Sequence, residues 1–140
     1  MKILGIGSEI VECLRVARMI ERHGELFINR IFTTAEVRYC NSKPTATQQF
    51  AGRWAAKEAV LRAVGIRARK DFDWKSMEIR RDKTGRLTVA FRGPMCDAVE
   101  QLNIGEIHLT IAQCRAAATA TAIALARNVK RRKVKKKKKG

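Results

Sequence analysis

The chain has 140 residues, 46% of them hydrophobic, which suits one domain with one core and is too apolar for a disordered protein. Its longest apolar runs fall far short of a membrane span, and residues 1–14 lack the continuous apolar stretch of a secretory signal, so a cytoplasmic protein is expected. The net charge of +17 is uneven: ten Lys/Arg and no acid lie between Arg127 and Lys139, leaving 20 basic and 13 acidic residues in 1–126.

Lys2–Gly7 reads as a short strand ending in glycines, followed by a helix over Ile10–His23 with Ile10, Leu14, Ala17 and Ile20 as its apolar stripe. Arg15, Arg18 and Arg22 fall on another face, with Met19 beside them, and Gly24 is a helix stop. Leu26–Phe32 predicts a short helix. Thr33 and Glu36 form a T-x-x-E capping box that opens another helix toward Cys40. After a turn at Asn41–Pro44, Thr45–Val64 predicts a long helix capped by Gly65, with Phe50, Trp54 and Leu61 on its apolar side. Ile66–Asp73 reads as a basic, mobile loop. Met77–Arg81 and Arg86–Phe91 alternate around Asp82-Lys83-Thr84-Gly85 and predict a hairpin. Gly93-Pro94 leads into a helix over Met95–Leu102, and Glu106–Ala112 reads as a strand.

Ala116–Ala126 is evenly balanced. Alanine propensity favours a helix, whereas the alternation of Thr119, Thr121, Ile123 and Leu125 favours a strand. The boundaries expected are a folded domain over 1–126 and a basic, low-complexity, disordered tail over 127–140. Cys13, Cys40, Cys96 and Cys114 are widely spaced and include no C-x-x-C pair. They read as free thiols, not as a disulfide framework or, with His23 and His108, a zinc site.

Two segments carry candidate chemistry. In Gly5-Ile6-Gly7-Ser8-Glu9, the paired glycines permit close backbone approach to a ligand, and Glu9 follows at once. The pattern is not G-x-G-x-x-G, so a dinucleotide site is not indicated. Taken alone, Glu9 is read first as favouring the positive end of the helix expected next. In Arg53–Arg62, Glu58 lies one helical turn from Trp54 and Arg62, and Arg53 and Lys57 form a second i, i+4 pair. A carboxylate among cations on one helix can hold a divalent metal while its neighbours hold phosphates; Mg²⁺ in particular takes few protein oxygens. The plainer alternative is a solvated helix with a Glu58–Arg62 ion pair.

Together, G-I-G-S-E-I-V-E and F-A-G-R-W-A-A-K-E-A, about fifty residues later, resemble the signature of the holo-acyl-carrier-protein synthase group of phosphopantetheinyl transferases. Arg30–Thr33 with Glu36 and Tyr39-Cys40, the hairpin at Met77–Val89 and the strand at His108–Ile111 extend the resemblance over about residues 3–125. It implies a small α+β fold with a long helix packed on an antiparallel sheet, which makes Ala116–Ala126 a strand, and a homotrimer with active sites between subunits. It implies transfer of 4′-phosphopantetheine from coenzyme A to a serine of an acyl carrier protein, releasing 3′,5′-ADP, with Mg²⁺ held by Glu9 and Glu58. By the same resemblance Lys57 contacts phosphate, Arg53, Arg62 and Gly65 help to bind coenzyme A, and His108 approaches the nucleotide across the subunit interface. The carrier protein, an acidic partner, docks on the first helix at Arg15, Arg18, Met19 and Arg22, with Phe27 and Arg30 extending the surface.

Three departures from the family pattern stand out. The first acid is Glu9 where Asp is usual, and Arg62 replaces the Lys that ends K-E-A-x-x-K. Gly65-Ile66-Arg67 replaces Gly-Thr-Gly. An arginine can hold phosphate but cannot readily carry a proton, which argues against Arg62 as a base. The rival reading is a nucleic-acid- or ribosome-associated basic protein. It rests on the tail, since the body has 6% aromatic residues, with Trp54 and Phe50 at core-like spacing.

Overall fold

The computed structural model describes residues 2–128. The elements run β1 (Ile3–Glu12), α1 (Cys13–His23), α2 (Glu25–Ile31), α3 (Thr34–Asn41) and α4 (Ala46–Val64), then a 3₁₀ turn at Trp74–Ser76. They continue with β2 (Met77–Arg81), β3 (Leu87–Phe91), α5 (Gly93–Gln101), β4 (Ile104–Gln113) and β5 (Ala117–Ala126). β1, β5 and β4 form an antiparallel sheet in that order, and β2 and β3 form a separate hairpin. This is the α+β architecture expected, with the long helix lying across the sheet.

Ala117–Ala126 is a strand because tertiary packing overrides alanine's helix propensity. Ala118, Ala120, Ala122 and Ala124 are buried toward α4, whereas Thr119 and Thr121 face outward. α4 is buried around most of its circumference from Phe50 to Val64, so its apolar side is wider than Phe50, Trp54 and Leu61 alone. Ala55, Ala56, Ala59 and Ala63 are all buried along it. Gly65 ends the helix at φ 78°, a left-handed cap that glycine adopts without strain.

β1 is longer than the sequence suggests. It pairs with β5 as far as Glu12, and α1 starts at Cys13 instead of Ile10. The stripe of Ile10, Leu14, Ala17 and Ile20 is therefore not the buried face. Ile10 lies on the strand, Leu14 is 58% exposed, and Cys13 and Val16 enter the core instead.

The Thr33–Glu36 capping box forms as expected. Thr33 Oγ1 accepts from Glu36 N, and Glu36 Oε1 accepts from Thr33 N at 2.8 Å. Glu36 then does more than cap. Its side chain is inaccessible, Oε1 meets Lys57 Nζ at 2.7 Å and Oε2 accepts from Ile79 N at 2.8 Å. The hairpin turn closes on Asp82, whose Oδ1 accepts from Thr84 N and Arg86 N. The four cysteines are free thiols, with Cys13 and Cys40 buried and Cys13 Sγ 3.8 Å from the Cys114 carbonyl; burial pushes the Cys40 thiol up to about 12. Residues 129–140, and with them nearly all of the expected tail, lie outside the described residues.

Candidate active site

Strand alternation directs Gly5, Gly7, Glu9 and Val11 toward α4. A Cβ on Gly7 would overlap the Ala59 carbonyl oxygen and lie 2.7 Å from Arg62 Cβ; one on Gly5 would overlap the Ala63 carbonyl oxygen. The glycines thus admit a helix, not a ligand. With the strand seated directly on α4, the next inward residue, Glu9, meets the helix at Glu58 and Arg62. Glu9 Oε2 is 2.9 Å from Arg62 Nη2, Oε1 accepts from Ile10 N at 3.2 Å, and the Glu9 and Glu58 carboxyl groups share a hydrogen bond. Arg62 pairs with Glu9, which sits well inside the strand and not at a helix start.

The two carboxyl groups are pushed in opposite directions. Burial, together with the hydrogen bond to Glu9 and Glu9's charge, raises Glu58 to about 7. Burial acts the same way on Glu9, but the hydrogen bonds from Glu58 and Ile10 and the nearby Arg62 outweigh it and hold Glu9 below the usual range. Two apposed carboxylates, one of them reluctant to ionise, make a donor set that gains from a cation. They open into a groove of about 520 Å³ that Arg62 and Arg67 line with guanidinium groups and Leu61 and Trp74 with apolar surface. No cluster of three or more His, Cys, Asp or Glu exists among the described residues. A pair of carboxylates in an open groove suits a hard ion that keeps water and phosphate oxygens, as Mg²⁺ does, better than a closed zinc site.

The other expected site residues lie elsewhere. Lys57 is fully buried: Nζ donates to Ile31 O at 2.7 Å and Trp74 O at 3.0 Å and pairs with Glu36, so it is not available for phosphate contact. Burial lowers its pKa, and the charge of Glu36 opposes that. Arg53 is also outside the groove. It is 3% exposed, its guanidinium lies 4.5 Å from the centre of the Tyr39 ring, and its Nε has no hydrogen-bond partner among the described residues. It forms no salt bridge there, leaving a cation without a matching anion. Gly65 adjoins the groove through Ile66, which lines it.

His108 lies in register with Ile123 of β5 and hence with Ile6 of β1. That places it on the outer sheet face, opposite the face carrying Glu9. Its Nδ1 is 2.6 Å from Arg86 Nη2, and Nε2 is 3.5 Å from Glu106. Within one chain it cannot join the groove.

On α1 and α2, Arg15, Arg18 and Arg22 are exposed, and Arg15 stacks over Trp54 at 5.0 Å. Met19 is half-buried against the core. Phe27 is buried, packed edge-on to Trp54 and Phe32, which removes it from any docking surface. Arg30 donates to Lys70 O at 2.9 Å and ties down the loop after α4. Leu14 and Leu26, 58% and 80% exposed, are the apolar residues this face presents. Sequence reasoning missed them, as it missed Leu61 and Trp74 in the groove; Arg67 was visible only as a departure from Gly-Thr-Gly. Trp54 and Phe50 are core residues, so they offer no stacking platform for nucleic-acid bases. No helix among the described residues is long and apolar enough to cross a membrane.

This fold and carboxylate pair coincide with a match to the family model of the 4′-phosphopantetheinyl transferase superfamily over residues 5–121. The chain is 41% identical over 120 residues to a holo-[acyl-carrier-protein] synthase of Rhodopirellula baltica, covering 86% of this chain and 95% of that one. It is 38% identical over 126 residues to the Chlamydia pneumoniae enzyme of the same name, covering 90% and 100%. Among solved structures it resembles the holo-[acyl-carrier-protein] synthase of Neisseria meningitidis, with a TM-score of 0.79 and 28% identity over 89% of this chain and 99% of that one. It also resembles a Bacillus anthracis holo-(acyl-carrier-protein) synthase in complex with coenzyme A (3′,5′-ADP), with a TM-score of 0.71 and 27% identity over 90% and 98%. The chain belongs to the holo-[acyl-carrier-protein] synthase family.

Proposed function

We propose that this enzyme transfers 4′-phosphopantetheine from coenzyme A to a serine of an apo-acyl carrier protein. The serine oxygen forms a bond to the β-phosphorus of coenzyme A, the bond from that phosphorus to the bridging oxygen breaks, and 3′,5′-ADP leaves. The observation that carries the reading is the Glu9–Glu58 carboxylate pair, apposed beside Arg62 in an open groove. Glu9 and Glu58 would hold Mg²⁺, which when bound neutralises the charge that builds on the diphosphate. Arg62 and Arg67 offer guanidinium groups to phosphate oxygens. Glu9, fixed by Arg62 and by the backbone of Ile10, positions the water that takes the serine proton. Arg62 binds and orients; its guanidinium does not act as the base.

The carrier protein docks on α1 through Arg15, Arg18 and Arg22 around Leu14, with positive charge chiefly raising the encounter rate. Assembly as a homotrimer is supported by the outer sheet face, where Ile6 and Ile10 are 61% and 62% exposed. His108 shares that face, so only another copy could bring it to a groove. Arg53, an unmatched buried cation, suits the anionic donor once copies assemble. The compartment that goes with this reading is the cytoplasm.

The test is Glu58→Gln. This variant should keep its fold by circular dichroism, lose nearly all transfer as read by the mass of an apo carrier protein, and bind Mn²⁺, a spectroscopic substitute for Mg²⁺, far more weakly. Full activity in Glu58→Gln would refute the assignment of the pair.

A further inference from the structure

We infer that Lys57 and Glu36 are positioning residues for the transfer, latching the Trp74 wall of the groove to the helix that carries Glu58. The inference rests on the function proposed above, and it replaces phosphate contact as the role of Lys57. All three protons of the Lys57 ammonium are matched: by Ile31 O at the end of α2, by Trp74 O at the start of the 3₁₀ turn, and by Glu36 Oε1 on α3. Glu36 in turn holds Thr33 N and, through its second oxygen, Ile79 N of β2. One inaccessible ion pair therefore fixes four segments of chain to α4. Trp74 is the segment that matters for chemistry, because it lines the same groove as Glu9 and Glu58. Its carbonyl is bound by the residue immediately before Glu58.

The Lys57 side chain is thus the direct polar tie between the helix that carries Glu58 and the Trp74 wall, beside the packing of Trp74 on Phe72 and the core. The loop from Ile66 to Asp73, which joins α4 to that wall, contains no helix or strand to set the distance independently. Arg30 holds the same loop at Lys70, further from the groove. Loss of the Lys57 link frees the wall, and a shift of about 1 Å in a site that positions reactants can cost about 100-fold in rate.

The experiment compares Lys57→Met, Glu36→Gln and the double variant, each in a Trp54→Phe background that leaves Trp74 as the single tryptophan. The double variant covers the case in which a lone buried charge prevents either single variant from folding. We expect unchanged far-ultraviolet circular dichroism, Trp74 emission shifted to the red with greater acrylamide quenching, and a fall of about 100-fold in kcat/KM in all three. A double variant with wild-type kcat/KM and unmoved Trp74 emission would show that the pair only stabilises the fold, and would overturn the inference. So would loss of coenzyme A binding in Lys57→Met alongside wild-type behaviour in Glu36→Gln, since the lysine would then meet phosphate itself. The Trp74 readout needs no turnover. A wild-type protein without transfer would count against the proposed function, while the emission shift would still decide whether the latch exists.

Discussion

Gly7 shows how a single hydrogen in place of a side chain can set the geometry of an acidic site. With no Cβ, β1 lies against the Ala59 carbonyl, and Glu9 two residues later reaches Glu58 and Arg62. Gly7→Ala forces the strand and helix apart at a contact made by rigid backbone. The expected cost is about 1–3 kcal/mol of stability, measured by urea unfolding, and a larger proportional loss of transfer, because Glu9 is carried away with the strand. A stable, fully active Gly7→Ala protein would mean that the sheet can shift without moving the pair. The glycines were legible in the sequence as a place of close approach, but a glycine does not reveal what approaches it. The ion-pair partner of Lys57 was hidden for a similar reason. A lysine beside a catalytic glutamate looks like a phosphate ligand, and its actual partner, Glu36, sits on another helix 21 positions earlier. The spacing of neither residue carries that pairing.

At the scale of elements, α1 presents a basic surface of fixed geometry. Arg15, Arg18 and Arg22 are exposed on one folded face with Leu14 among them, so their charges hold a fixed pattern. Reversing Arg15 and Arg22 to Glu should raise the apparent KM for the carrier protein strongly and leave coenzyme A binding nearly unchanged. Deleting residues 130–140 should change carrier kinetics little, apart from a modest loss at low salt. Transfer rates against carrier concentration at two ionic strengths check both. Should the deletion cripple transfer at physiological salt while the reversals do not, docking belongs to the tail.

Most elements were readable from the chain because their signals are local: the Thr33–Glu36 box, the Gly65 cap and the Asp82–Gly85 turn. The start of α1 was not. Ile10 and Leu14 are four apart, as on a helix face, but pairing with β5 keeps the chain extended through Glu12. β5 itself was undecidable locally, since its alanines are buried by a helix that the segment cannot announce.

For the whole molecule, the outer sheet face is the feature that asks for a partner. Ile6 and Ile10 stand out of β1 beside Ser8, next to Thr119 and Thr121 of β5. Burying such a face between copies would contribute about 1.5–3 kcal/mol for each isoleucine. Sedimentation should find a species near three times the 15.8 kDa chain, and Ile6→Asp with Ile10→Asp should yield folded monomers without transfer activity. An active wild-type monomer would remove the need for His108 to cross between copies.

The strand order has a consequence in time. The last strand among the described residues, β5, occupies the middle of the sheet, between β1 and β4. During synthesis, β1 therefore waits without a neighbour until Ala117–Ala126 has emerged, and α4 waits without the alanine surface that covers it. The nascent chain carries the open edges of β1 for most of its translation and, from Val64 until β5 emerges, a helix that is largely buried in the finished fold, the kind of exposure that invites aggregation. A ribosome that stops before Ala117 would leave not a three-stranded sheet short of one strand but two strands with nothing to join them, and the β2–β3 hairpin as the one paired element.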